Sequence, residues 1–266
     1  MRPVRPRWRE TGGRPLEKQA KYNQEESQMD PRTMPDTASR QSGGTVVAVS
    51  PHADDAEYGA GALLSGYAQA GWPVVIALMT GSSHGRVREA ADAAQVLGAR
   101  LVVDESGQDG ALEVTSARVR WLEGIVGGAH LVLAPHPDDT HQDHRAAAAI
   151  TWSAVRRSAV NLAWYRTPSS GPGFTATVFG PITPSQAQAR ARAVAMHRSQ
   201  SDRPYLTAEH LAAKDAWHGW LSGCEAAEPF EAARHLLAPG PLPVSAPIVE
   251  MAQRDVTPMP MTLGKV

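Results

Sequence analysis

Two short stretches of this 266-residue chain concentrate the side chains that could do chemistry. The first is Pro51-His52-Ala53-Asp54-Asp55-Ala56-Glu57, and the second is Pro135-His136-Pro137-Asp138-Asp139-Thr140-His141-Gln142-Asp143-His144. An imidazole beside two carboxylates suits a hard-to-borderline divalent metal. Zinc comes first, because it accepts both His nitrogen and Asp oxygen. The competing reading of the first stretch is a polar loop that caps the next helix through Asp54 or Asp55. In the second stretch, His141 and His144 are spaced so that a helical turn places them on one side. The single cysteine, Cys224, forms no intrachain disulfide and no Cys-rich zinc site, so any metal is held by His and carboxylate.

Each stretch follows a short apolar run and precedes an alanine-rich one, which reads as strand, loop, helix. From Thr45 the same grammar recurs. Strands are expected at 46–49, 74–79, 101–103 and 131–134. Helices are expected at 59–69, 87–96, 115–126 and 143–156, with Thr115 or Ser116 as a cap and Gly98 as a C-terminal stop. Later strands are expected at 162–165 and 175–179. Helices follow at 184–197, opened by Thr183 and Pro184, and at 208–221. This alternation predicts an α/β fold, Rossmann-like, with a mostly parallel sheet and helices on both faces. In such sheets ligands bind outside the carboxyl ends of the strands. Two His/Asp loops at one edge would therefore converge on one site.

Residues 1–43 are rich in Arg, Pro, Gln, Glu and Ser and read as a flexible N-terminal segment. Residues 44–236 form the expected domain, and 237–266 read as a Pro-rich C-terminal tail. With 26 basic and 27 acidic side chains the formal charge is −1, which does not suggest a nucleic-acid binder. No run is apolar enough for a membrane span. No secretory signal follows the basic N-terminus, so a cytoplasmic protein is expected.

Taken together and in order, these residues resemble the LmbE/PIG-L family of zinc-dependent N-deacetylases. Pro51-His52-Ala53-Asp54-Asp55-Ala56-Glu57 matches the family's first motif, (A/P)-H-P-D-D-x-E, and His141-Gln142-Asp143-His144 matches its H-P-D-H. Weaker matches are Thr80-Gly81, Arg86 with Glu89, Asp109-Gly110, and His197-Arg198-Ser199-Gln200 against H-x-S-Q. The likeness spans about residues 45–232. His136-Pro137-Asp138-Asp139 looks still more like the first motif, but it lies after the wrong strand and reads as a loop. Asp139 is placed to orient a neighbour.

The resemblance implies a metal, Zn2+ or another divalent ion, held by His52, Asp55 and His144. It makes Asp54 the general base and His141 the group that faces the oxyanion and protonates the amine. Asp143 is either a hydrogen-bond partner of a ligand histidine or the cap of its helix. Glu57, Arg86, Asp109 and His197 are further candidates for supporting the site or touching substrate. The expected substrate is a small amino sugar, such as an N-acetylglucosamine-bearing molecule, or another glycosylated small molecule. No nucleic-acid or membrane partner is expected, and homo-oligomerisation is left open. The alternatives are an amidase on a thiol-sugar conjugate or natural product, and a non-catalytic metal- or sugar-binding module. Two departures, Ala53 and Gln142 where the family has Pro, loosen the loops without removing a reactive group.

Overall fold

The computed structural model describes residues 44–236. The expectations for residues 1–43 and 237–266 lie outside the described residues. The sheet is built from β1 (Thr45–Ser50), β2 (Val74–Leu78), β3 (Arg100–Val103), β4 (Ala129–Pro135), β5 (Asn161–Tyr165), β6 (Val178–Pro181) and β7 (Ala227–Arg234). Its strand order is β3-β2-β1-β4-β5-β7-β6. The first five strands are parallel, whereas β7 runs antiparallel to both β5 and β6. The helices are α1 (Asp55–Gln69), α2 (His84–Leu97), α3 (Ser116–Val126), α4 (Gln142–Ala154), α5 (Pro184–Val194) and α6 (Ala208–Ser222).

Both faces of the sheet are covered. Along β1, Val47 and Val49 join a core with Leu122 of α3 and Ile150 of α4. Val46 and Ala48 join a second core with Leu64 of α1 and Leu97 of α2. The period of two along a strand divides each run between the two cores, and so the central strands are apolar throughout. The chain order reverses between β1 and β4: β2 and β3 lie on one side of this pair and β5 on the other. Ligands bind at such a switch point, and the loops after β1 and β4 both open there.

Several element bounds differ from the sequence expectation for physical reasons. Helix α1 starts at Asp55 rather than Gly59, with Asp55 and Glu57 in its first turn, where negative charge suits the helix dipole. Helix α2 starts at His84 rather than Val87, and α5 stops at Val194, short of His197. Strand β6 is shifted to Val178–Pro181. Strand β7 has no counterpart in the sequence expectation. Its sequence, AEPFEAAR, contains Pro229 and lacks a strong apolar alternation, and both argue against a strand. The caps behave as their residues dictate. Gly98 takes a left-handed φ of 75°, and the Thr115 hydroxyl accepts from Arg118 N–H.

The glycines of α1 let it approach its neighbours closely. A Cβ at Gly59 would strike the Tyr165 ring, and one at Gly61 would lie 2.7 Å from Arg190 Cγ. Arg190 is buried, paired with Asp215 of α6, and 3.0 Å from Glu228 of β7. Glu228 in turn accepts from the Ala62 and Leu63 amides of α1 (3.0 and 2.8 Å). This network fastens α1, α5, α6 and β7 around buried charges that pair with one another.

Helix α5 begins with a capping box in which Thr183 and Gln186 bond each other's backbone. Thr183→Ala is expected to destabilise the chain by about 1 kcal/mol, the usual cost of losing such a cap. A urea titration with an unchanged midpoint would contradict this. Because Thr183 is exposed and far along the chain from both His/Asp loops, the metal content should not change.

Candidate active site

The loop after β1 is held by its own backbone. Ser50 hydroxyl donates to the His52 carbonyl (2.6 Å) and accepts from the Ala56 amide (3.1 Å). Thr80, in the loop after β2, donates to the Pro51 carbonyl (2.7 Å). The His52 amide donates to Asp55 Oδ2 (2.9 Å), so Asp55 closes its own turn and also faces the site. The loop after β4 leads into α4, where His141 is the N-cap and its Nδ1 accepts from the Asp143 amide (3.2 Å).

These loops bring His52, Asp55 and His144 together. His52 Nδ1 lies 3.1 Å from Asp55 Oδ2, His144 Nε2 lies 3.2 Å from that same oxygen, and the two ring nitrogens are 3.2 Å apart. A tetrahedral ion with bonds of about 2.0–2.1 Å sets its ligand atoms roughly 3.3 Å apart, so the triangle fits a zinc-sized ion. The outward nitrogens are also engaged. His52 Nε2 meets Asp143 Oδ2 (2.9 Å), and His144 Nδ1 meets Asp139 Oδ2 (3.0 Å). A carboxylate on the outer nitrogen keeps the proton there and leaves the inner nitrogen bare, the arrangement that orients metal-binding histidines.

The charges point the same way. Burial opposes a proton on His52, but Asp55 and Asp143 outweigh it and raise its pKa to about 9. His144 rises to about 10, where burial is overcome by Asp55 and Asp139. Against its burial, Asp55 is held well below the usual carboxylate range by His144 and His52. The cluster therefore favours positive charge between its inner atoms, from protons or from a cation.

Asp54 is buried beside the triangle and is not part of it. Burial and the Asp55 charge push its carboxyl up, while Arg86, 3.4 Å away, partly restrains it. Arg86 also pairs with Asp109 (2.6 Å), and Asp109 Oδ1 lies 3.3 Å from His52 Nε2 at the exposed mouth. Asp143 is fully buried and accepts from the Gly110 and Leu112 amides (2.6 and 3.0 Å), which ties the 109–112 loop to the centre. Donor atoms of His52, Asp109, His141 and Asp143 also approach one another within 4.8 Å, as do those of His52, His141 and His144. In the first of these sets Asp143 and Asp109 are already committed to amides and to Arg86. The His52–Asp55–His144 triangle is tighter and fits an ion better. His141 stacks on His144, and burial with the charges of His52 and His144 holds its pKa down.

Glu57 and His197 are buried together at 3.6 Å, a charge contact longer than a hydrogen bond, and neither makes a side-chain hydrogen bond. Burial lowers the His197 pKa, but Glu57 and Asp54 raise it further. His136 points elsewhere: its Nε2 lies 3.3 Å from Glu231 and its ring meets Phe174. Sequence reasoning missed Thr167, whose hydroxyl donates to Asp139 Oδ2 (2.7 Å). It also missed the segment around Tyr205. The cavity of about 520 Å³ over the triangle is lined by Asp54, Arg86, Asp109 and His141, and also by Tyr58, Ser169, Gln200 and Tyr205. No motif marks these last residues; only the Gln200 of H-x-S-Q carried a signal.

A mostly parallel sheet with a His/Asp cluster at its switch point defines an α/β protein with a candidate divalent-metal site. Residues 47–155 match the family described as PIG-L: GlcNAc-PI de-N-acetylase. Solved structures share the fold. The conserved protein TT1542 from Thermus thermophilus is 26% identical, with a TM-score of 0.62, covering 73% of this chain and 96% of that one. N,N'-diacetylchitobiose deacetylase from Pyrococcus horikoshii is 20% identical, with a TM-score of 0.61, covering 71% and 83%. GalB, the 4-carboxy-2-hydroxymuconate hydratase from Pseudomonas putida, is 16% identical, with a TM-score of 0.64, covering 74% and 98%. No match was found among curated protein sequences. Among the described residues no helix is long and apolar enough to cross a membrane.

Proposed function

We propose that this chain is a metal-dependent N-deacetylase that hydrolyses the acetamide of an amino sugar or of a glycosylated small molecule, with zinc as the first choice of metal. The observation that carries this is the pairing of a three-atom ligand triangle with a neighbouring carboxylate, Asp54, that the triangle does not use. A binding module needs the triangle alone. The family match and the deacetylase among the structural neighbours support the same reading. The hydratase neighbour is a reminder that this fold serves more than one reaction.

When bound, a divalent ion supplies Lewis acidity: it lowers the pKa of a water and polarises a carbonyl. His52, Asp55 and His144 would hold it, and Asp143 and Asp139 fix the two rings. Asp54 takes the proton of the attacking water, and its raised pKa brings it nearer the working range of a general base. Arg86 steadies Asp54 and tempers its charge. His141 accepts an amide N–H at Nδ1, which leaves its proton on Nε2. From there it donates a hydrogen bond to the developing oxyanion, and the proton that Asp54 took from the water goes to the departing amine. The reaction balances as amide plus water giving acetate and a free amine.

The test is to incubate the purified, metal-loaded protein with a panel of N-acetylglucosamine glycosides in H₂¹⁸O. Hydrolysis predicts equal amounts of free amine and of acetate carrying one solvent oxygen. Substrates that persist across the panel while metal is fully bound would sink the amino-sugar reading. An amidase on a thiol-sugar conjugate would use the same residues and differ in the amide partner accepted.

A further inference from the structure

We propose that Tyr205, packed against Tyr58, is the platform on which the substrate's sugar ring rests, and so selects a cyclic amino sugar over an open-chain amine. The proposal deepens the deacetylase reading, but ring recognition can be measured without turnover.

The cavity lining is divided by chemistry. The loops after β1 and β4 contribute histidines and carboxylates, whereas the segment after α5 contributes Gln200, Arg203, Tyr205 and Leu206. This segment is fixed rather than loose. The Ser199 amide and hydroxyl both donate to the Glu89 carboxylate of α2 (2.9 and 2.6 Å), and short 3-10 turns run over Arg198–Gln200 and Pro204–Leu206. Tyr205 and Leu206 then pack on a small separate cluster of Tyr58, Val194 and Leu211. Tyr58 meets the Tyr205 ring edge-on (5.9 Å between centroids, 88° between planes). Tyr58 is itself braced by Lys214, whose Nζ lies 4.2 Å above its ring and donates to its carbonyl (2.8 Å). Tyr58 is buried and Tyr205 half-buried, and both line the cavity.

A pyranose offers an apolar face of C–H groups and a rim of hydroxyls. A preorganised aromatic ring suits that face, because the side chain loses little freedom on binding. Gln200 and Arg203, from the same segment, stand beside it as partners for the rim. The Arg203 guanidinium reaches Asp202 only at 4.0 Å, both groups being exposed, so it keeps donors to spare. Burial, followed by the charge of Asp54, raises the Tyr205 phenol above its ordinary range. The ring therefore carries a neutral hydroxyl.

The experiment compares wild type, Tyr205→Ala, Tyr205→Leu and Tyr205→Phe, all metal-loaded. Binding of methyl glucosaminide and of ethanolamine is titrated by calorimetry, and hydrolysis is followed for their N-acetyl forms. Tyr205→Ala and Tyr205→Leu should bind the glycoside about tenfold more weakly, with ethanolamine unchanged and Tyr205→Phe within about twofold of wild type. In hydrolysis the loss should appear in KM for the glycoside, with kcat kept. Tyr205→Leu keeps the apolar cluster filled, so it separates loss of the aromatic face from loss of folding. Glycoside binding that is unchanged in the Ala and Leu variants, lost equally for both ligands, or absent in wild type would overturn the platform. Glycoside binding that depends on Tyr205 in a wild type that cleaves neither amide would support the platform and overturn the deacetylase reading instead.

Discussion

Asp54→Asn is expected to lower kcat by about 10²–10⁴-fold while the bound metal stays at the wild-type level, because removing a general base costs that much and leaves the ligands alone. Asp54 and Asp55 are adjacent and chemically alike, and geometry separates them. Asp55 Oδ2 is 3.1–3.2 Å from both inner ring nitrogens. Asp54 contacts Arg86 instead, and burial drives its pKa up while that of Asp55 is driven down. The amide introduced by the substitution keeps the shape and the Arg86 contact but cannot take a proton from water. Pre-steady-state kinetics with stoichiometric metal would read the change in the chemical step. Wild-type turnover in this variant would mean that another group, with His141 the nearest, takes the proton.

His144→Ala should strip metal and activity together. Loss of an outer partner such as Asp139 typically costs about 10–100-fold in metal affinity, and loss of an inner ligand costs more. The substitution removes one corner of the triangle and leaves Asp139 with its other donors, the His141 amide and Thr167 hydroxyl. The fold should therefore survive, and far-UV dichroism is the control. Wild-type metal stoichiometry in the dialysed variant would exclude His144 as a main ligand. The remaining arrangement of His52, Asp109, His141 and Asp143 would then be the place to look.

The central sheet was legible because its strands are buried on both faces, and continuous runs such as Val46-Val47-Ala48-Val49 allow little else. The meeting of the two His/Asp loops was expected from the repeated strand, loop, helix order, and in the structure both loops open at the switch between β1 and β4. Position also separated His52 from the look-alike His136, whose ring turns to Glu231. What stayed hidden depends on contacts between distant parts of the chain. Strand β7 carries Pro229 and is recognisable only by its pairing with β5 and β6. Glu228 looks like a surface acid until Arg190 and the α1 amides close around it. Tyr58 and Tyr205 are far apart in sequence and carry no motif; they acquire meaning only where their rings meet beside the cavity. Trp164 is buried, while Trp152, Trp217 and Trp220 are exposed.

The most direct test of the metal centre is a reconstitution titration. Wild type and Asp55→Asn are stripped by chelation, zinc is added back in steps, and acetate release from an N-acetylglucosamine glycoside is recorded at each step. If His52, Asp55 and His144 hold one ion needed for hydrolysis, the wild-type rate starts near zero and rises to a break at one ion per chain. Asp55→Asn, with a neutral amide for a ligand, then reaches only part of that rate and needs excess zinc. Acetate release at the full rate from the stripped wild type, or an Asp55→Asn titration that overlays the wild type, would contradict a metal held by this triangle.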